Sequence, residues 1–310
     1  MGITHFDEAR GYEISIGHLQ SAWTLLGEAA GCLGVGVRRI QVAAGGWSTP
    51  AHEHGASEEI FYVLAGRGLT WQKGSTAEIG AGDCVVYHPR RGAHSLHAIE
   101  ELDVLAFGSR HYDESPRFPR LGYSLVGGRW VESGEGTLEG YPVQFVHEAK
   151  AGPPELPEPE PRPETIVNLA DVEPSTIERS RVVRTRRDLG RAAGSVRTGL
   201  QHVEVAPGKE SNPLHCHTLE EEVFVILDGD GVLELGEEEL PVRPGHVVSR
   251  PPGTGVAHTF RAGPGGLVYL AYGTREPGDM CFYPRSNKIF FRGFGLVARL
   301  ESLDYWDGED

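Results

Sequence analysis

The chain of 310 residues has no apolar run approaching the roughly 18 residues a membrane helix needs. Its start, Met1-Gly2-Ile3-Thr4-His5-Phe6, lacks a basic stretch followed by an apolar one. A soluble, cytoplasmic protein is therefore expected. Cysteine is scarce: four residues (Cys32, Cys84, Cys216, Cys281), widely spaced and without a C-x-x-C pair, do not make a disulfide framework and fit a reducing compartment. Cations are in deficit, 29 Lys and Arg against 44 Asp and Glu, for a formal charge of -15. That balance repels phosphate backbones and anionic headgroups, which excludes nucleic acid and membrane surfaces as partners and leaves a small molecule. No basic stripe or helix-turn-helix pattern is present, and no G-x-S-x-G elbow supports a serine nucleophile. Gly66-x-Gly68 and Gly229-x-Gly231 lack the strand-and-helix context of a dinucleotide loop, so they read as hairpin turns.

What is abundant is glycine and proline, 42 and 21 residues, punctuating short Val, Leu, Ile, Tyr and Phe runs. The runs Val37–Ala43, Glu59–Leu64, Cys84–Tyr87, Leu200–Val205, Glu222–Leu227 and Val247–Ser249 read as strands of an all-β fold. Helix is expected only near Ser21–Ala30 and after the linker described next.

The sequence repeats. Gly45 through His54 recurs as Gly208 through His217, an offset of 163 that also links Glu59 to Glu222, Gly66 to Gly229, Gly82 to Gly245 and Pro89 to Pro252; His94 pairs with His258 at 164. Between the copies, Ala151 to Thr165 holds six prolines in fifteen residues, which predicts an extended, acidic connector. The expected division is residues 1–150, a linker 151–165, and residues 166–310. Residues from about 112 to 150, with Trp130, Tyr141 and Phe145, read as irregular structure packed on the first unit.

On a strand, side chains alternate faces, so His52 and His54 point one way, as do His215 and His217, while Glu53 and Cys216 point the other. A carboxylate five residues on (Glu59, Glu222) and a later histidine (His94, His258) complete two sets of three imidazoles and one carboxylate. Such a set suits Fe, Mn, Ni, Zn or Cu as divalent ions, up to two per chain. The competing reading, polar residues on a solvated strand face, has no use for the same pattern twice. Glu58 and Glu221 compete for the carboxylate role, but the six-residue spacing to Gly66 and Gly229 selects their neighbours. His97 is expected beside the site or on the surface, and His88, His111 and His246 are expected to be structural or solvated.

These residues resemble the cupin family, whose first motif G-x5-H-x-H-x(3,4)-E-x6-G is matched by Gly46, His52, His54, Glu59 and Gly66. The second, G-x5-P-x-G-x-x-H, is matched loosely by Gly82, Pro89, Gly92 and His94, with the proline and glycine shifted. The second copy offers Gly208, one residue further off, then His215, His217, Glu222 and Gly229, followed by Gly245, Pro252, Gly255 and His258. The chain is similar throughout to bicupins without an assigned reaction, in its segments Tyr269 to Pro277 and Leu303 to Gly308 as well. The resemblance implies two tandem cupin jelly-roll β-barrels, with strand edges covered either by an intrachain pair of barrels or by a homodimer.

Cupin folds host many chemistries, so the reaction is not named by the fold. The expected function is a metalloenzyme acting on a small oxygenated organic molecule, in the manner of a dioxygenase, an isomerase or a decarboxylase. The alternative is a non-catalytic small-molecule or sugar-binding protein with a structural metal. Arg38, Gln201, Phe61, Phe224, Tyr62 and Tyr269 are candidate pocket residues. Trp47 and Trp71 are expected to crowd the first mouth, which favours the second copy as the active one.

Overall fold

The computed structural model describes residues 2–111, 113–126, 129–130 and 142–309. Each half is a two-sheet roll of antiparallel strands. In the first half the larger sheet runs Ile166–Asn168, Asp83–Tyr87, Glu59–Ala65, Leu102–Ser109, Val35–Val42, Leu19–Thr24, Gly11–Ile16, and the smaller runs Ser75–Gly80, Arg67–Gln72, His94–Ala98. In the second half the order is Gly2–His5, His246–Arg250, Glu222–Leu235, His258–Thr274, Thr198–Val205, Val183–Asp188, Ser175–Glu178, with Glu238–Val242 beside Glu222–Leu235. All six runs read as strands are strands.

The glycine pairs expected to turn hairpins do something else. Glu222–Leu235 passes unbroken through Gly229 and Gly231, with its register shifting there against His258–Thr274. Glu59–Ala65 and Arg67–Gln72 likewise do not pair with each other but belong to different sheets. These glycines are corners where one strand crosses from sheet to sheet. Gly66 and Gly229 have φ of +85° and +73°, and a Cβ on either would strike the backbone carbonyl of Glu101 or Gly266.

Alternation explains why the strands are apolar on both faces. Phe61, Val63, Val85 and Tyr87 point into the first roll, whereas Ile60, Tyr62, Cys84 and Val86 point out of it. Phe224, Ile226 and Tyr269 fill the second roll, whereas Val223, Val225, Leu270 and Tyr272 point out. The two outward sets form one shared core, in which Phe107 stacks on Tyr272 at 5.1 Å between centroids. An intrachain pair of rolls thus covers these faces.

Two strands cross over. Gly2–His5 extends the second half's sheet, pairing Gly2 with Ser249 and His5 with His246, while Ile166–Asn168 extends the first half's, pairing Ile166 with Val85. Carboxylates do the same. Glu58 accepts from Ser195 Oγ (2.6 Å), Thr198 Oγ1 (2.7 Å) and the amides of Val196 and Thr198, in the loop after helix α3 (Leu189–Ala192). Its repeat partner Glu221 accepts from the amides of Leu33 and Gly34, in the loop after helix α1 (Leu26–Ala29). Each half therefore caps the same loop of the other.

The described part of the segment after the first roll has more regular structure than its composition suggests. It holds strands Arg117–Phe118, Tyr123–Val126 and Arg129–Trp130 and helix α2 (Val143–Ala151), whose buried Phe145 joins the first core. Tyr141 lies outside the described residues. The proline-rich linker lies along the first roll, where Trp71 Nε1 donates to Glu155 O and Thr76 Oγ1 to Pro157 O. Three strands, Met280–Tyr283, Lys288–Phe291 and Leu296–Arg299, form a sheet with Cys216–His217 beside the second site. No helix among the described residues is long and apolar enough to cross a membrane. All four cysteines are buried and free.

Candidate metal centres

Short bridges deliver the histidines. His52 pairs with His94, and His215 with His258, in isolated antiparallel bridges across the mouth of each roll. Glu59 and Glu222 open the next strands on the inward face. Glu53 points away, accepting from the Gly92 amide at 2.8 Å and pairing with Arg117 at 3.4 Å, as alternation requires.

In the first half one donor atom from each of His52, His54, Glu59 and His94 lies within 4.8 Å of every other. Glu59 Oε2 is 2.9 Å from His94 Nε2 and 3.2 Å from His54 Nε2. In the second half the same mutual limit holds for His215, His217 and Glu222. His258 joins them through its Nε2, 3.1 Å from Glu222 Oε2, and its ring, 4.8 Å from that of His215. The two constellations nearly superpose: His52–His54 and His215–His217 centroids are both 5.0 Å apart, and His52–His94 matches His215–His258 at 4.8 Å.

Tautomers follow from what the other nitrogens meet. His52 Nδ1 is 3.0 Å from Pro50 O and His215 Nδ1 is 2.8 Å from Pro213 O; a carbonyl only accepts, so Nδ1 carries the proton and Nε2 a free lone pair. Burial, with His94 and His54 adjacent, holds His52 down to about 3, and burial with His258 holds His215 to about 4. Burial also opposes charge on His54 and His217, but Glu59 and Glu114 raise the first to about 10, and Glu222 and Asp279 raise the second to about 11. Burial works against the Glu59 and Glu222 carboxylates, yet the facing histidines hold both below the ordinary range.

The donors fit a divalent metal. Both nitrogens of His54, Oε2 of Glu222 and both nitrogens of His258 are buried without a well-formed hydrogen bond, a costly state that a shared cation relieves. Three imidazoles and a carboxylate are the borderline donors of a transition metal rather than the all-oxygen set of calcium.

Several residues outside the repeat's constant offset also reach the sites. Past the second motif the offset becomes 165, which aligns Gly108 with Gly273, Arg110 with Arg275, Glu114 with Asp279 and Phe118 with Tyr283. Phe118 stacks on His52 at 5.9 Å and 27°, and Tyr283 on His215 at 5.8 Å and 21°. Asp279 Oδ2 lies 2.7 Å from His217 Nδ1, and Glu114 Oε1 lies 3.6 Å from His54 Nδ1. Cys281 Sγ is 3.4 Å from the same His217 nitrogen.

A cavity of about 560 Å³ opens beside Glu222, bounded by Arg186, Gln201, Glu220, Arg275 and Arg292 among others. Its first-half counterpart, about 200 Å³, meets His54, Glu59, Arg38, Arg110 and His111. Arg38 and Gln201 thus stand where a pocket was expected. Tyr62 does not: it faces the core between the halves, because it is odd in phase with Phe61. Phe61, Phe224 and Tyr269 are core of the rolls, and Trp47 and Trp71 are buried in the first core rather than crowding a mouth. His97 packs beside Trp47 at 5.2 Å, His88 Nδ1 meets Glu58 Oε2 at 3.2 Å, and His246 packs edge-on to His5.

The Cupin domain family matches residues 38–107 and again 201–270. Among solved structures the chain is similar to oxalate decarboxylase from Bacillus subtilis (16% identity, TM-score 0.59, covering 88% of this chain and 75% of that one). It is also similar to oxalate decarboxylase from Lactobacillus farciminis (15% identity, TM-score 0.57, covering 89% and 86%). At such identity the likeness speaks for the fold. No curated protein sequence matches the chain. The duplicated sequence, the paired two-sheet rolls and the two domain matches make this chain a bicupin of the cupin superfamily.

Proposed function

We propose that the protein is a metal-dependent enzyme acting on a small organic acid, with the second roll as its working site. The ligands in this reading are His52, His54, Glu59 and His94 in the first half and His215, His217, Glu222 and His258 in the second. The observation that carries the substrate class is Arg186, a half-buried guanidinium on the wall of the cavity beside Glu222 that has no ion pair or hydrogen bond among the described residues. The other cations there are engaged: Arg191 and Arg275 each lie 3.7 Å from Asp188, and Arg292 pairs with Glu220. A free guanidinium in a partly desolvated cavity selects a carboxylate, which it binds bidentately. Gln201 on the same wall adds an amide that donates to or accepts from a second oxygen.

A divalent transition metal held by the three imidazoles and Glu222 supplies Lewis acidity to substrate oxygens, and redox chemistry where it is iron or manganese. The Mn(II) centres of Bacillus subtilis oxalate decarboxylase make manganese the first metal to load. The chain's own part is to fix one carboxylate on Arg186 so that the rest of the molecule lies toward Glu222, and to bury it enough that water competes poorly. The smaller first cavity, with Arg38 already over the Trp23 ring at 5.3 Å, favours the second half for substrate.

The test is a panel of small mono- and dicarboxylates with manganese-loaded protein, followed by calorimetry and by product detection. Arg186→Ala is expected to weaken binding of the active acid about 10- to 100-fold, the loss of a charged hydrogen bond of roughly 1.5–3 kcal/mol. Wild-type affinity in Arg186→Ala, or no carboxylate bound by the loaded wild type, would overturn the substrate class.

A further inference from the structure

Asp279 lies outside both cupin motifs, yet it is fully buried against one imidazole of the second centre. Its Oδ1 accepts from the amides of Thr218 (3.1 Å), Leu219 (3.0 Å) and Glu220 (3.2 Å), and its Oδ2 faces His217 Nδ1 at 2.7 Å. On the other side of the ring, His217 Nε2 points at Glu222 Oε2, 3.5 Å away. Glu114 repeats the plan in the first half: it accepts from the amides of Gly55 (2.7 Å), Ala56 (3.3 Å) and Ser57 (2.6 Å) while lying beside His54 Nδ1.

We infer that Asp279 and Glu114 are the positioning residues of the two metal centres: Asp279 fixes which nitrogen of His217 faces the ion, and Glu114 holds the same place beside His54, at 3.6 Å rather than in a formed hydrogen bond. The inference rests on the metal reading above. Its logic is that of proton ownership. A carboxylate only accepts, so the hydrogen between Asp279 and His217 stays on Nδ1, and Nε2, toward Glu222, is the nitrogen that gives its lone pair to the ion. The three amide donors lock the carboxylate, so the ring it holds is locked too. The Asp279 carboxylate, with Arg292 Nε 4.0 Å from its Oδ2, also polarises the Nδ1–H bond and so makes His217 a stronger donor. Chain geometry supports one role twice: the residues correspond at offset 165, although one is Glu and the other Asp, and each follows the last long strand of its roll. The second centre is the more tightly held, at 2.7 Å against 3.6 Å.

Asp279→Asn separates this role from loop capping. Its side-chain oxygen still accepts from the three amides, but its NH₂ then faces Nδ1 and donates to it. That moves the ring proton to Nε2 and blocks the ligating lone pair. Cobalt(II) is titrated into metal-free full-length protein, with stoichiometry and the d–d spectrum as readouts. Wild type is expected to take two ions; in Asp279→Asn one of the two sites weakens about 10- to 100-fold, the usual effect of losing such a partner, while the other keeps its spectrum. Asp279→Glu, the acid the first half uses, is expected to restore most of the affinity, and Glu114→Gln to weaken the other site instead. Two wild-type sites in Asp279→Asn would overturn the inference while leaving the metal reading intact. No cobalt bound by wild type would overturn the metal reading itself.

Discussion

His52 and His54, two positions apart, reach one point because extended chain alternates its faces, and Glu59 reaches it because the chain turns back between them. Each imidazole therefore holds one corner of a shared site, and losing one should empty that site without touching the other. After loading and desalting, wild type is expected to retain two equivalents by elemental analysis, and His52→Ala and His215→Ala each to lose one, half the total. Two equivalents in either variant would reject the ligand assignment. These residues were legible because duplication printed them twice at a constant spacing. Glu114 and Asp279 were not, because insertions shift the offset from 163 to 165 beyond the second motif and the acids differ in length. Arg186 was not legible either, since the sequence does not show that its guanidinium has no carboxylate partner among the described residues; that depends on which strands meet.

The strands could be read from their apolar runs, but the corners could not, since a glycine pair between two β runs is equally the mark of a hairpin. What decides is whether the flanking runs pair with each other, a fact of tertiary contact. Helix α2 was missed for another reason. Pro142 before it and Gly152 after it were the boundary signals, but a segment of nine residues is too short to show a clear period. The corner assignment predicts an asymmetry among glycines of the same φ. Gly229→Ala should lower stability by more than about 2 kcal/mol, since left-handed backbone costs roughly 1–2 kcal/mol before any clash and the Gly266 carbonyl cannot move aside. Gly208→Ala, at φ +69° with open space around it, should cost only that roughly 1–2 kcal/mol. Urea midpoints of the two variants measure the difference, and equal midpoints would mean that the corner is not tight.

A chain of two sequence repeats joined by a proline-rich linker invites the picture of two independent units. The contacts oppose it: each sheet carries a strand from across the linker, each half's Glu caps the other's loop, and one apolar core is built from both. Opening the halves would expose Leu105, Phe107, Val225, Leu270 and Tyr272 together, and strip Glu58 of its four donors from the second half. Such an opened state is far less stable than either end state, so heating should unfold both halves in one transition with calorimetric and van't Hoff enthalpies in agreement. Phe107 tests the coupling. It belongs to the first half's sheet but stacks on Tyr272 of the second, so Phe107→Ala should remove about 3–5 kcal/mol and shift the whole transition downward as a single peak. If the halves were independent, the same variant would split the trace, moving one peak and leaving the other in place. A single peak would also mean that metal bound at either site stabilises both rolls, because an ion that binds only the folded chain acts on every element that unfolds with it.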